Sequence, residues 1–249
     1  MKKIHTLFQT IMHRQLLPIM LKNWNTSLYN VGDTRKITVD GTNYTVRLAN
    51  NSTPSECSWT NFSQTACGFV VEFTEVVFKR NINPLGTHNG TQFKYGWNVG
   101  GWPASDMRNN YVNGDFFNKL SSDLQKVIID TNVISGHGKK DTNNFTPTDK
   151  IYLLSGHEVY EDGASNKVSE YDTAYNNTRQ LDYYENLEVT TNNYSGAIKQ
   201  YNSSNNWWWL RTAFTYIDDS FLAVVKTGGY SNTNYPKMTF GLAPAFRIG

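Results

Sequence analysis

Three short apolar runs toward the carboxyl end, Trp207–Thr212, Leu222–Val225 and Gly241–Ile248, constrain this chain most. Each has the length and content of a buried strand, and none has a helical period. Between them lie Phe214–Ser220 and Tyr230–Lys237, which mix Tyr, Asn, Asp, Ser, Thr and Lys with neither a strand nor a helix period. The pattern predicts a rigid frame holding chemically varied loops. Aromatic bodies for contact area beside small polar groups for adaptable hydrogen bonding are what binding loops use, although ordinary solvated hairpin loops share that composition.

Upstream, the chain also reads as strands. Ile37 and Val39, then Tyr44, Val46 and Leu48, alternate across Asp40-Gly41, a strong hairpin signal. Phe69–Phe78 and Asp149–Ser155 read as further buried strands. Between these, Ser105 or Asp106 caps a helix carrying Met107, Tyr111 and Val112, and a second helix starts near Ser121 or Ser122 with Leu124, Val127 and Ile128 on one face. Short helices among many strands predict an α+β fold. Ile134–Asn144 reads as a polar loop. Gly156–Gln200, rich in Tyr, Asn, Glu and Asp, shows no readable element boundaries despite the recurrence of Tyr171, Tyr175, Tyr183 and Tyr184.

With 249 residues, 39% of them hydrophobic, the chain can bury a substantial core, and no Pro- or Ser/Gly-rich linker divides it, so one main domain is expected over residues 29–249. A formal charge of +2, with dispersed Lys and Arg, argues against nucleic acid or an anionic membrane as partner. Charged residues are only 18% while Tyr numbers 15 and Trp 7, a polar but weakly charged surface that suits recognition outside the cell. Residues 1–28 read as a helical extension: Leu7, Phe8, Ile11 and Met12 have helical spacing. Gln9, His13, Arg14 and Gln15 interrupt any signal-peptide core, no small-residue cleavage site follows, and the stretch is too short and polar to span a bilayer. Its apolar stripe is expected to pack on the main domain or to mediate homo-oligomer formation. Cys57 and Cys67 fit either a disulfide or two free thiols, and with no second pair and no nearby His a zinc site is disfavoured.

Four motifs in order, GGWPASDMR at Gly100–Arg108, DKIYLLSGHE at Asp149–Glu158, WWWLRT at Trp207–Thr212 and GLAPAFRIG at Gly241–Gly249, resemble a group of bacterial and phage domains with the C-type-lectin fold. That group is related in architecture to the formylglycine-generating-enzyme type of the fold. The resemblance runs from about Val31 to the carboxyl end. Some members are variable proteins of diversity-generating retroelements, whose carboxy-terminal segment is rewritten by adenine-directed mutagenic reverse transcription into a varied ligand-binding face. The resemblance implies that Trp208, Trp209, Leu210, Arg211, Phe246 and Arg247 are scaffold. The varied face is then drawn from Phe214, Tyr216, Ile217, Asp218, Asp219, Tyr230, Asn232, Asn234, Tyr235 and Lys237, residue types mostly reachable from an Asn codon by changing its adenines. If Trp207–Leu210 is a strand, Trp208 and Trp209 face opposite sides, one toward the core and one toward the loops, and Arg211 anchors a carboxylate or carbonyls beneath the site.

The implied function is non-enzymatic binding of a protein or glycan on a target cell surface, from a virion tail or the cell exterior, without a cofactor. The Trp-Asn-Asp triplet and cis-proline of calcium-dependent lectins have no counterpart, and Asp218-Asp219 alone offers too few oxygens for a calcium cage. Cys57 and Cys67 lie far upstream of where the oxidase members of the fold need a cysteine pair. No GxSxG, HExxH or phosphate-cradling loop occurs; His137 and His157 are expected to be solvated loop residues. The competing assignments are a hydrolase using His157 and Glu158 and a structural component of a virion or cell surface.

Overall fold

Asp40 and Gly41 both take positive φ, 49° and 77°, and the turn they make folds Thr34–Val39 back on Thr42–Asn50 with Val39 opposite Thr42. A computed structural model describes this hairpin and the rest of residues 29–88 and 90–249. The helical extension expected over 1–28 lies outside the described residues.

The architecture is α+β, as the alternation of short strands and helices requires. In one five-stranded sheet the order is Thr34–Val39, Thr42–Asn50, Val70–Phe73, Ala245–Arg247, Ile151–Tyr152, antiparallel throughout. In the other it is Ser231–Asn234, Phe221–Val224, Trp208–Ala213, Phe240–Leu242, Phe78–Arg80, with one parallel pairing, between Trp208–Ala213 and Phe240–Leu242. The run Gly241–Ile248 is therefore two strands, not one, and it carries the chain from the second sheet to the first. Pro244 marks the break: it has no N–H to give to a ladder, while its carbonyl accepts the Phe73 N–H at 3.1 Å.

Trp208 and Trp209 do alternate across their strand, but neither reaches a loop. Both are fully buried; Trp208 Nε1 donates to Ala197 O and Trp209 Nε1 to Arg80 O, each at 3.0 Å. Each indole therefore buries its apolar body with its one donor satisfied, worth about 2–3 kcal/mol apiece.

The first expected helix is a π-helix, Met107–Phe116, started where Ser105 Oγ accepts the Arg108 N–H at 3.2 Å. Its buried residues Met107, Val112 and Phe116 recur at intervals of five and four, closer to an i→i+5 winding than to 3.6. The second, Ser122–Val127, is capped by Ser121. Gly156–Gln200 resolves into pieces of three to five residues, including Gly156–Val159 and Asp182–Asn186, too short to show a period. Ile134–Asn144 is only partly a polar loop: Ile134, Ser135, Gly136 and Gly138 are buried, and Ser135 bridges to Phe145.

Cys57 and Cys67 form a disulfide. Beneath the first sheet, Glu72 is fully buried and held by Arg47 Nε at 2.8 Å, Lys199 Nζ at 2.8 Å and Tyr184 OH at 2.9 Å. Burial alone raises the Glu72 carboxyl, but Arg47 and Lys199 together hold it below its usual value. Burial pulls the Lys199 ammonium down to about 8 despite that carboxylate.

Candidate functional site

Arg211 sets the floor. Its guanidinium and Glu158 are both completely buried and pair bidentately, Nη1 to Oε2 at 2.5 Å and Nη2 to Oε1 at 2.6 Å, while Nη1 also donates to Leu153 O at 2.8 Å and Nη2 to Ile134 O at 3.3 Å. Ser155 N, Thr65 Oγ1 and Thr178 Oγ1 donate to the same carboxylate. Burial opposes ionisation of Glu158, and Arg211 with these donors outweighs it, holding the carboxyl below its ordinary value. Arg211 thus anchors both a carboxylate and carbonyls, as expected. The neighbouring Asp172 accepts from Thr212 Oγ1 at 2.8 Å and Ala174 N at 2.9 Å, and burial pushes its carboxyl up.

Directly after this strand, the chain leaves the core as Phe214–Ser220, and Asn98 organises it. Asn98 is fully buried; its Nδ2 lies 3.0 Å from Phe214 O, 2.9 Å from Ile217 O and 2.9 Å from Ser220 O, and its main-chain N–H donates to Asp218 O at 2.9 Å. Tyr216 and Ile217 stand out from the loop at 58% and 38% exposure. Phe214 is half-buried between Tyr171 and Tyr216, and Asp218 faces Lys140 at 3.7 Å. Partial burial, with Asp218 beside it, raises the Asp219 carboxyl.

The segment just before Asn98 joins this loop to Tyr235–Met238. Tyr95 O accepts the Lys237 N–H at 3.2 Å, the Tyr95 and Tyr235 rings stack with centroids 4.3 Å apart, and Lys237 Nζ sits 4.7 Å from the Tyr95 ring centre. Ile82 N and Asn83 N both donate to Pro236 O, and Asn83 Nδ2 donates to Trp97 O. Tyr235 and Met238 are each 39% exposed.

Tyr230–Lys237, read as a loop, is in part a strand: Ser231–Asn234 is the outer edge of the second sheet, with Asn232 opposite Ala223 and Asn234 opposite Phe221. Val225 N donates to Tyr230 O, so by antiparallel alternation Asn232 and Asn234 bond inward and the N–H groups of Thr233 and Tyr235 point outward. Each outward donor is taken by the preceding side chain, Thr233 N by Asn232 Oδ1 at 2.8 Å and Tyr235 N by Asn234 Oδ1 at 3.0 Å. The polar sequence hid a strand because it caps its own edge.

The register divides the expected face. Tyr235 and Lys237 lie at the end of the sheet that carries Phe214–Asp219, whereas Tyr230 lies at the far end of Ser231–Asn234, roughly 15 Å away at strand rise, packed on Tyr194 with centroids 5.6 Å apart. Phe246 is buried on an interior strand of the first sheet, and Arg247, half-buried, donates from Nε to Cys67 O at 2.9 Å. Leu210 is fully buried. Tyr95, Asn98, Lys140 and Met238 belong to the same end of the sheet as Phe214–Asp219 without having been anticipated. The only signal for Tyr95 and Asn98 is their setting among Gly96, Gly100 and Gly101.

Of the two histidines expected to be solvated loop residues, His137 is a partly exposed loop residue and His157 is not. His157 is 8% exposed on a short helix, stacked on Tyr175 with centroids 3.6 Å apart and with Nδ1 2.7 Å from Tyr175 O; His137 Nδ1 lies 2.8 Å from Gly138 O. Glu158 is engaged by Arg211 and does not pair with His157, whose Nε2 instead lies 3.3 Å from Oε2 of the exposed Glu161. Among the described residues no group of three or more His, Cys, Asp or Glu is placed to hold a metal. A cleft of about 350 Å³ opens elsewhere, lined by Arg108, Asn113, Phe117 and Lys150, with Arg108 bound to Asp149 at 2.7 Å and Lys150 to Asp130 at 3.1 Å.

No curated protein and no solved structure matches this chain. A family model does match, over residues 74–249, a span that contains every display and floor residue except Thr65. The chain therefore belongs to the family described as domain of unknown function (DUF6273).

Proposed function

We propose that this protein is a non-enzymatic binding module of C-type-lectin type. Its contact surface is the sheet end formed by Phe214–Asp219 and Tyr235–Met238, with Tyr95 between them. The supporting observation is that Tyr216, Ile217, Tyr235 and Met238 stand exposed at one end of the second sheet while Trp208–Ala213, the strand that leads into Phe214–Asp219, is wholly buried. Exposed aromatic and aliphatic groups clustered on a pre-organised backbone lose little freedom on association, which favours non-covalent capture of a macromolecule. The target is a protein or glycan on a cell surface, met from a virion tail or the cell exterior, and a multimeric assembly would raise avidity. The Cys57–Cys67 disulfide suits an oxidising exterior. In this reading the face is of the type diversified by a retroelement.

Two measurements test it. Binding to a glycan array and to a panel of surface proteins is compared between the wild type and a folded Y216A/Y235A variant. Loss of the wild-type hits is expected, and hits of undiminished strength in the double variant would remove this face from the assignment. In the DNA beside the gene, a near-copy of the coding region for Trp208–Gly249 that differs only at adenines of the copy, close to a reverse-transcriptase gene, is expected. Differences at other bases would remove the retroelement while leaving the binding face.

A further inference from the structure

We infer that Asn98 is the positioning residue of the display loop and that it fixes the path of Phe214–Ser220 through main-chain atoms alone, so that side chains at 216–219 can change without moving the backbone. The usefulness of this freedom rests on the binding reading, but the device stands on geometry alone. All four acceptors that Asn98 engages, Phe214 O, Ile217 O, Asp218 O and Ser220 O, are carbonyl oxygens, which any residue supplies. Two further ties are main-chain, Phe214 N donating to Ser220 O at 3.0 Å and Thr215 N to Tyr171 O at 3.2 Å, while the one ion pair of 216–219 among the described residues, Asp218 with Lys140, is long at 3.7 Å and solvent-accessible.

Few side chains can do this. The amide nitrogen has two hydrogens for three converging carbonyls, so one bond is shared, and the opposite amide orientation would press Oδ1 against three oxygens. Asp has the shape without the donors, Ser has one donor, and Gln is a methylene too long for a site with no exposure. The assigned orientation leaves Asn98 Oδ1 buried without a hydrogen-bond partner, a cost that is tolerable only if the nitrogen side repays it. On that oxygen side the chain closes tightly: a Cβ at Gly138 would stand 2.3 Å from Oδ1, so Gly138 is the space in which the amide sits. Gly138, the last residue of Ser135–Gly138, is thereby accounted for as the back wall of the loop anchor.

Amide hydrogen exchange on the full chain, without ligand, tests the idea at the Phe214 N–H and the residue-98 main-chain N–H, with the Trp208–Ala213 amides as internal reference. Asn98→Asp removes the donors at constant shape, and protection at both sites should fall at least about tenfold while the reference strand holds. Gly138→Ala should cause a smaller fall at the same two sites. The four-position variant Y216S/I217S/D218N/D219S should keep both within about threefold of wild type, since only exposed or half-buried side chains change. Unchanged protection in N98D overturns the inference, and so does loss of protection in the four-position variant. If N98D unfolds globally, seen as loss in the reference strand, the four-position variant decides alone. Because no ligand is present, failure of the binding assay and failure of this test are separately visible.

Discussion

Trp208–Ala213 and Phe214–Ser220 are consecutive in the chain and use their side chains in opposite ways. In the strand all six residues are buried, and position is fixed by indole packing, by the Arg211–Glu158 pair and by the Thr212–Asp172 hydrogen bond. In the loop the fixed points are carbonyl oxygens gripped by Asn98, and the side chains between them project outward. The difference shows what sets tolerance to substitution. A segment located by its side chains must keep them, whereas one located by its backbone is free to vary.

The hardest blow to the strand side is Arg211→Met. It leaves the Glu158 carboxylate buried without its counter-ion, at a cost of about 3–5 kcal/mol. A urea midpoint close to wild type would show that the pair is not what holds the floor. Next comes the buried Lys199, whose proton is bound more weakly in the folded chain, at about 8, than at its ordinary 10.5. Below about 8 both states are charged and the burial cost is fully present; between about 8 and 10.5 the folded chain releases the proton first. Stability should therefore climb with pH across that window by about 3 kcal/mol relative to K199M, in which the climb vanishes. Parallel stability–pH curves for the two proteins would contradict the assignment. Reduction of Cys57–Cys67, which closes a loop of sequence separation 10, should cost about 2–3 kcal/mol. The effect belongs to the frame, because Thr65 inside that loop donates to Glu158. Thermal unfolding with and without reductant reads it. The smallest change in stability comes from Y216S and Y235S, within about 0.5 kcal/mol each, although each should weaken target binding. A large drop in melting temperature for either would erase the contrast between strand and loop.

How far the sequence revealed this arrangement follows from the same contrast. The Asp40-Gly41 hairpin was legible because its apolar residues alternate, and the tryptophan strand because a short continuous apolar run fits a strand buried on both faces. Ser231–Asn234 was not, since an edge strand whose outward donors are closed by its own Asn side chains needs no apolar alternation. Tyr230 and Tyr235 look equivalent in sequence, and only the register places them at opposite ends of one strand. Asn98 was hidden because its partners are carbonyls, which leave no mark on residue identity. The helices of Gly156–Gln200 escaped because a piece shorter than about two turns has no period to detect.

The placement of Ala245–Arg247 between Val70–Phe73 and Ile151–Tyr152 bears on how faulty copies of this protein would fare. Ribosomes deliver that strand only after the whole display segment. A premature stop arising anywhere in Phe214–Phe240 would therefore remove an interior strand of the first sheet and leave Ile151–Tyr152 without its neighbour, rather than trim an edge. Such a product lacks the strand that ties Val70–Phe73 to Ile151–Tyr152, so the core beneath Phe214–Ser220 closes only in a chain translated through Ala245–Arg247.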